Sequence, residues 1–204
     1  FGDAVDSVAI RSRRFGTNGA NCNITRLFME FDTSGISVAP GSATLNIYGN
    51  GSDTTTNPRI IVLLGEQDGS TYNGATFNDF PGNGSGWDNT TAAITPLSDV
   101  RTTAWSTSGY NTTTLNSDAR DIIANEDILK IVIITYDYDY LDVDPITVSN
   151  TEDVCVGVVL NESGTSQDPY IEHEASDPRD ITGPLKIQAG GKFQISAGKL
   201  SIKT

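Results

Sequence analysis

The sequence predicts an all-β fold: an antiparallel two-sheet β-sandwich, jelly-roll-like, with one short helix and a small C-terminal β-strand appendage. Three observations predict it. Apolar residues recur with period two in short segments, the signature of half-buried strands. Gly, Ser, Thr, Asn and Asp are abundant between those segments while charged residues make up only 19% of the chain, a composition suited to many tight turns. Finally, 204 residues suffice to bury a core without disulfides or metals.

Taken in order, Asp6–Arg13 reads as a strand with Val8 and Ile10 on one face. In Arg26–Phe31, Leu27, Met29 and Phe31 alternate with Phe28 and Glu30. Gly35, Pro40 and Gly41 then mark a turn region before Ala43–Tyr48, where Leu45 and Ile47 share a side. Arg59–Leu64 is a continuous apolar run, as expected of a strand covered on both faces. Residues 65–92 read as a long loop region with a short strand near Ala75–Phe77. Asp99–Trp105 and Tyr110–Leu115 are two further short strands. Ser117–Glu126 carries the one helical signal, with Ser117 as its cap and Ile122 and Ile123 facing the core. Leu129–Tyr136 is the most hydrophobic strand, and Val154–Leu160 and Tyr170–His173 complete the sandwich.

After Glu174 the composition changes, and two units follow from it: a sandwich over 1–176 and an assembly or anchoring segment over 177–204. Leu185–Gln188, Lys192–Ser196 and Lys199–Lys203 alternate as three strands around two Gly-containing turns. Gly183–Thr204 holds four Lys and no acid, whereas the whole chain has a formal net charge of −13. So small a strand unit needs a partner to bury its apolar face. That partner is either other copies of the chain or a neighbouring subunit, or else the segment folds back on its own sandwich.

The acidic bulk excludes a nucleic-acid binder, which needs a basic footprint to displace phosphate counterions. No stretch approaches the apolar length that spans a bilayer, so membrane insertion is not expected. The chain begins at Phe1 rather than Met, which predicts a trimmed N-terminus. Cys22 and Cys155 could form one bridge or remain two thiols, and their spacing fits neither a zinc site nor a CxxC redox pair.

No enzyme is expected. His173 is the sole histidine and lies between Glu172 and Glu174. There is no G-x-S-x-G elbow, and several Asp residues on one loop lack the asymmetry of a glycosidase pair. No cofactor is expected beyond Ca²⁺, for which Asp137, Asp139, Asp142 and Asp144 supply closely spaced oxygens. The EF-hand Gly and Glu are absent, and the alternative is a solvated acidic loop. Loop aromatics stack on sugar rings or plug the ends of a sandwich. Tyr72, Trp87, Trp105 and Tyr110 are the carbohydrate-binding candidates. The candidates for assembly are Lys186, Lys192, Phe193 and Lys199 in the tail and Arg11, Arg13 and Arg14 near the N-terminus, the arginines pairing with acids of a neighbouring copy.

Thr25–Gly49, reading TRLFMEFDTSGISVAPGSATLNIYG, resembles the DNRLRE-type β-sandwich modules. Phe31–Asp32, Ser42–Ala43–Thr44–Leu45 and Ile47–Tyr48 match the family's pattern. Val8–Ser12, Asn161–Ser163 and Asp168–Glu172 are similar more loosely. The likeness covers roughly residues 5–174 and departs from the pattern at His173–Glu174. It implies a carbohydrate-binding-like or surface-displayed sandwich. The Gly/Lys-rich tail is similar to the ends of bacteriophage structural proteins. Together these imply a non-enzymatic virion protein, a decoration, collar or fibre-type subunit on the particle surface, whose partners are its own copies or other virion proteins. The alternative is a carbohydrate-binding module of a cell-surface or secreted protein, with surface glycans as partners.

Overall fold

The computed structural model describes residues 7–15, 21–52, 59–66, 94–141, 152–158, 166–175, 192–196 and 199–203. The fold is mostly β, with antiparallel sheets, one short helix and a sandwich-like core. The larger sheet contains β1 (Ser7–Phe15), β2 (Asn21–Thr25), β4 (Ser42–Ser52), β6 (Tyr110–Thr114), β8 (Glu152–Val158) and β9 (Tyr170–Glu174). Its order is β2-β1-β8-β4-β6, with β9 also paired to β4. The smaller sheet orders β3 (Leu27–Asp32), β7 (Ile128–Thr135) and β5 (Ile60–Leu64) as β3-β7-β5. β10 (Lys192–Ser196) and β11 (Lys199–Lys203) form a separate two-stranded sheet.

Strand periodicity sorts the core into two layers. Leu27 and Met29 of β3, Leu129, Ile131 and Ile133 of β7, and Ile60 and Val62 of β5 face Ile10, Ala43, Leu45 and Ile47 of the larger sheet. The alternate residues Ile61, Leu63, Val132 and Ile134 form a second cluster with Phe28, Ile94, Val100, Tyr136 and Tyr140. β5 and the Ile131–Ile134 stretch of β7 are therefore buried on both faces, which is why they read as unbroken apolar runs. Each such Ile or Leu removed from water contributes about 1.5–3 kcal/mol before entropy is counted.

β4 organises the larger sheet. β6 lies opposite Thr44–Tyr48 on one edge. On the other edge β9 lies opposite Ser42–Asn46 and β8 opposite Gly49–Ser52, end to end, with a register shift at Gly49/Gly51. Gly49 is required there because a Cβ would meet the Ser106 carbonyl oxygen at 1.7 Å.

Several sequence expectations are corrected. Asp99–Trp105 is not a strand. Residues 94–101 instead stitch the two sheets together, bridging β5 at Pro96 and Arg101 and Leu115 at Ser98. Pro96 has no N–H for a ladder and the bridges alternate between sheets, so no regular strand forms. Asn21–Thr25, with little apolar alternation, is a strand that the pattern did not announce. The helix α1 (Ser117–Asn125) is capped by Asn116, whose side chain accepts from Ala119 N at 3.0 Å, rather than by Ser117. Its buried residues are Ala119 and Ile123. The strand Leu129–Tyr136 ends one residue early, and Tyr136–Tyr140 winds into a single π-helical turn. Ala75–Phe77 and Leu185–Gln188 lie outside the described residues.

Candidate functional site

The even-numbered positions of β4 from Ser42 to Tyr48, with their partners on β6 and β9, form the outward face of the larger sheet. Tyr48 is the direct cross-strand partner of Tyr110, and Tyr170 is the partner of Asn46. The three rings meet edge to face, with centroids 5.3 Å apart for Tyr48–Tyr110 and 5.1 Å for Tyr110–Tyr170. Because β6 and β9 flank β4 on opposite edges, Tyr110 and Tyr170 bridge over Asn46, which is only 2% exposed. Tyr48 Oη donates to Ser108 O, and Tyr110 Oη shares its proton between Ser166 O at 3.0 Å and Asp168 O at 3.1 Å. Burial pushes the Tyr110 phenol pKa up, and Tyr170, Asp168 and Tyr48 add to the shift. Tyr170 remains 40% exposed. Tyr110 was a sequence candidate; Tyr48 and Tyr170 were not, although their even parity on strands with odd apolar positions was the available signal.

Trp105 is corrected as a sugar platform. It is 8% exposed, sits in the core, and carries the Arg101 guanidinium 5.3 Å from its ring centroid. It is a plug, held by a polar knot beneath. Arg101 donates to the carbonyls of Thr103, Ala104 and Thr112 and to Asn111 Oδ1. Asn111 Oδ1 also accepts from Ser106 N, while its Nδ2 donates to Ser106 O and Gly109 O. Tyr72 and Trp87 lie outside the described residues.

Two aspartates of the acidic cluster are engaged by arginines. The π-turn gives Asp137 and Asp139 to two arginines distant in sequence. Arg26 grips Asp139 through Nε at 2.9 Å and Nη2 at 2.7 Å, with side chains 7% and 2% exposed. Arg59 holds Asp137 in the same bidentate manner and stacks 5.2 Å from the Tyr136 ring centroid, which in turn stacks on Tyr140. A guanidinium fork occupies one lone pair on each carboxylate oxygen and leaves fewer for a cation. Among the described residues no three His, Cys, Asp or Glu side chains converge as metal ligands. Asp142 and Asp144 lie outside them.

The assembly candidates divide between two places. Arg11, Arg13 and Arg14 occupy β1, an interior strand, with Arg11 between Thr25 and Val154, Arg13 between Asn23 and Glu152, and Arg14 opposite Cys22. Cys155 is the partner of Ile10 on the other edge of β1. Four residue steps and two strand spacings separate the cysteines by roughly 16 Å, too far for a bridge, whose Cα atoms lie within about 7 Å. Lys192, Phe193 and Lys199 lie in the C-terminal hairpin, where Phe193 pairs with Ile202 and Ile195 with Leu200, while Lys192–Lys203, Gln194–Ser201 and Ser196–Lys199 alternate with them. Lys186 lies outside the described residues.

The single histidine stands on β9. His173 and Ala175 wall an apolar cavity of about 450 Å³ with Ile36, Val38 and Pro40 of the preceding turn region. Val38 there is 65% exposed. In comparison with known proteins, no family model and no curated protein matches the chain.

Proposed function

We propose that this chain is a non-enzymatic structural and interaction protein of a bacteriophage particle, a decoration, collar or fibre-type subunit that displays the sandwich and assembles through its C-terminal strands. The observation that carries this reading is the β10–β11 register. It sorts Phe193, Ile195, Leu200 and Ile202 into apolar pairs and every lysine into polar ones, and a two-stranded ribbon of that kind needs a partner to be stable in water. The basic sign of Gly183–Thr204 opposes that of the sandwich, residues 1–176, which holds 24 of the chain's 26 acids. Deleting residues 183–204 is expected to abolish self-association or particle incorporation, measured by light scattering or by co-sedimentation with particles. Unchanged assembly would sink the idea.

A second reading, a carbohydrate-binding module, is favoured by the Tyr48–Tyr110–Tyr170 face. Its rings are flanked by Thr44, Thr112 and Glu172 in register, and partly exposed aromatic rings beside hydrogen-bonding groups suit a sugar. A glycan array read with the wild type and Tyr170→Ala tests it: binding lost on substitution supports the module, and no binding to any glycan removes it.

A further inference from the structure

β9 has the features of an acceptor for another strand. It pairs with β4 along one edge, and no other described strand lies against it. Tyr170, Glu172, His173 and Glu174 are all exposed. A sheet edge of this kind presents unpaired N–H and C=O groups that template a further strand. Glu172 and Glu174 make it acidic. The cavity walled by His173 and Ala175 opens beside it, with Ile36, Val38 and Pro40 providing apolar lining and a volume of about 450 Å³, large enough to seat an apolar side chain.

The C-terminal hairpin has the complementary properties. It is basic, it has two strand edges of its own, and its register gathers four apolar residues into cross-strand pairs. Within a single chain it forms a separate two-stranded sheet. We propose that β9 is the acceptor edge for the β10–β11 hairpin of a second copy of this chain. The incoming hairpin adds to the larger sheet by β-augmentation, its lysines answer Glu172 and Glu174, and one of its apolar residues fills the cavity beside His173. The two sandwiches, both acidic, repel elsewhere, so attraction is confined to this contact. The proposal rests on the tail being an assembly element and adds the surface that receives it.

The test uses two full-length variants in sedimentation velocity at physiological salt. Glu172→Lys/Glu174→Lys removes the acceptor, and Phe193→Asp/Ile195→Asp removes the donor. The wild type is expected to assemble and each variant alone to sediment as a monomer. An equimolar mixture of the two, each supplying what the other lacks, is expected to form a one-to-one dimer. Circular dichroism checks the fold. If the lysine pair melts early, Glu172→Gln/Glu174→Gln replaces it, with an expected loss of about tenfold in dimer affinity. Assembly abolished by the donor variant but untouched by the acceptor variant overturns β9 as the acceptor while sparing the tail. Assembly that survives the donor variant overturns both. A wild type that stays monomeric at every concentration, or a mixture that does, overturns pairing between copies.

Discussion

Asp137 and Asp139 sit two residues apart on one π-helical turn, yet their ion pairs differ in weight because their surroundings differ. The Arg26–Asp139 pair is nearly sealed from solvent, at 7% and 2% side-chain exposure. Removing one partner strands a buried charge, so Arg26→Ala or Asp139→Ala is expected to cost about 3–5 kcal/mol, read as a lowered urea midpoint. Arg59 and Asp137 are 43% and 27% exposed, and Asp137→Ala is expected to cost no more than about 1 kcal/mol. The sequence displayed the aspartates but not their partners, since the bonds span 113 and 78 residues. Alternating Asp and Tyr looked like a strand end with free oxygens because nothing local announces a π-turn. Asp32 offers a pH-dependent counterpart. Ser34 donates both its hydroxyl and its backbone N–H to that carboxylate and lowers its pKa. Native contacts at Asp32 thus favour the ionised form, and the stabilisation they bring is present above the unfolded-state pKa and lost as pH falls through the folded one. Ser34→Ala is expected to move the NMR titration midpoint of Asp32 upward; an unmoved midpoint would remove the assigned cause.

Among the elements, the segment 94–101 was the least legible and has the widest consequences. Leu97 N donates to Val62 O and Arg101 N to Ile60 O, while Asn116 N donates to Leu97 O. One irregular stretch thereby closes the edge of β5 and ties it to the start of α1. Asn116 adds a second link, donating Nδ2 to Pro96 O at 2.8 Å while its Oδ1 caps the helix. Asn116→Ala is expected to cost at least the roughly 1 kcal/mol typical of a lost N-cap. Asn116→Asp, which keeps the cap and loses the Pro96 bond, is expected to fall between it and the wild type in thermal melts. Regular strands were legible because burial on one or both faces writes a period into the sequence: β3, β4, β5 and β7 all carry it. The 94–101 seam buries Leu97 and packs Ile94 and Val100, but its irregular backbone pairing gives them no regular period, and β2 carries little apolar alternation. At Gly49 the reverse holds. Its small size is visible in the sequence, but the Ser106 carbonyl that demands it is not. Gly49→Ala is expected to destabilise by about 1–3 kcal/mol or more through overpacking.

For the whole molecule, the charge distribution is legible in the sequence and the surface chemistry only in part. The basic tail and acidic body follow directly from counting residues. The tyrosine face does not, because Tyr48, Tyr110 and Tyr170 are far apart in the chain and meet only when β6 and β9 flank β4. Trp105 looked like an equal candidate and is instead a core plug, since its exposure is fixed by Arg101 and Asn111 rather than by its own neighbours in sequence. If the tail meets an acidic acceptor, association is expected to weaken from 0.05 to 0.5 M salt as the Debye length shortens from about 14 to 4 Å. Static light scattering across that range checks it, and a salt-independent assembly would remove the electrostatic component.

The end-to-end sharing of one β4 edge by β8 and β9 implies a hierarchy of amide hydrogen exchange. Among the described strands β9 is held by one neighbour, and it is exposed at four of its five positions, so it belongs among the regions that open at low free-energy cost. β8 is held between β1 and β4 and need not open with it. Peeling β9 away would leave Thr44–Asn46 still bonded to β6 on the far side, so protection along β4 should be split between amides that face β6 and amides that face β9. The same looseness makes this margin of the sheet the cheapest place for the molecule to exchange one strand partner for another.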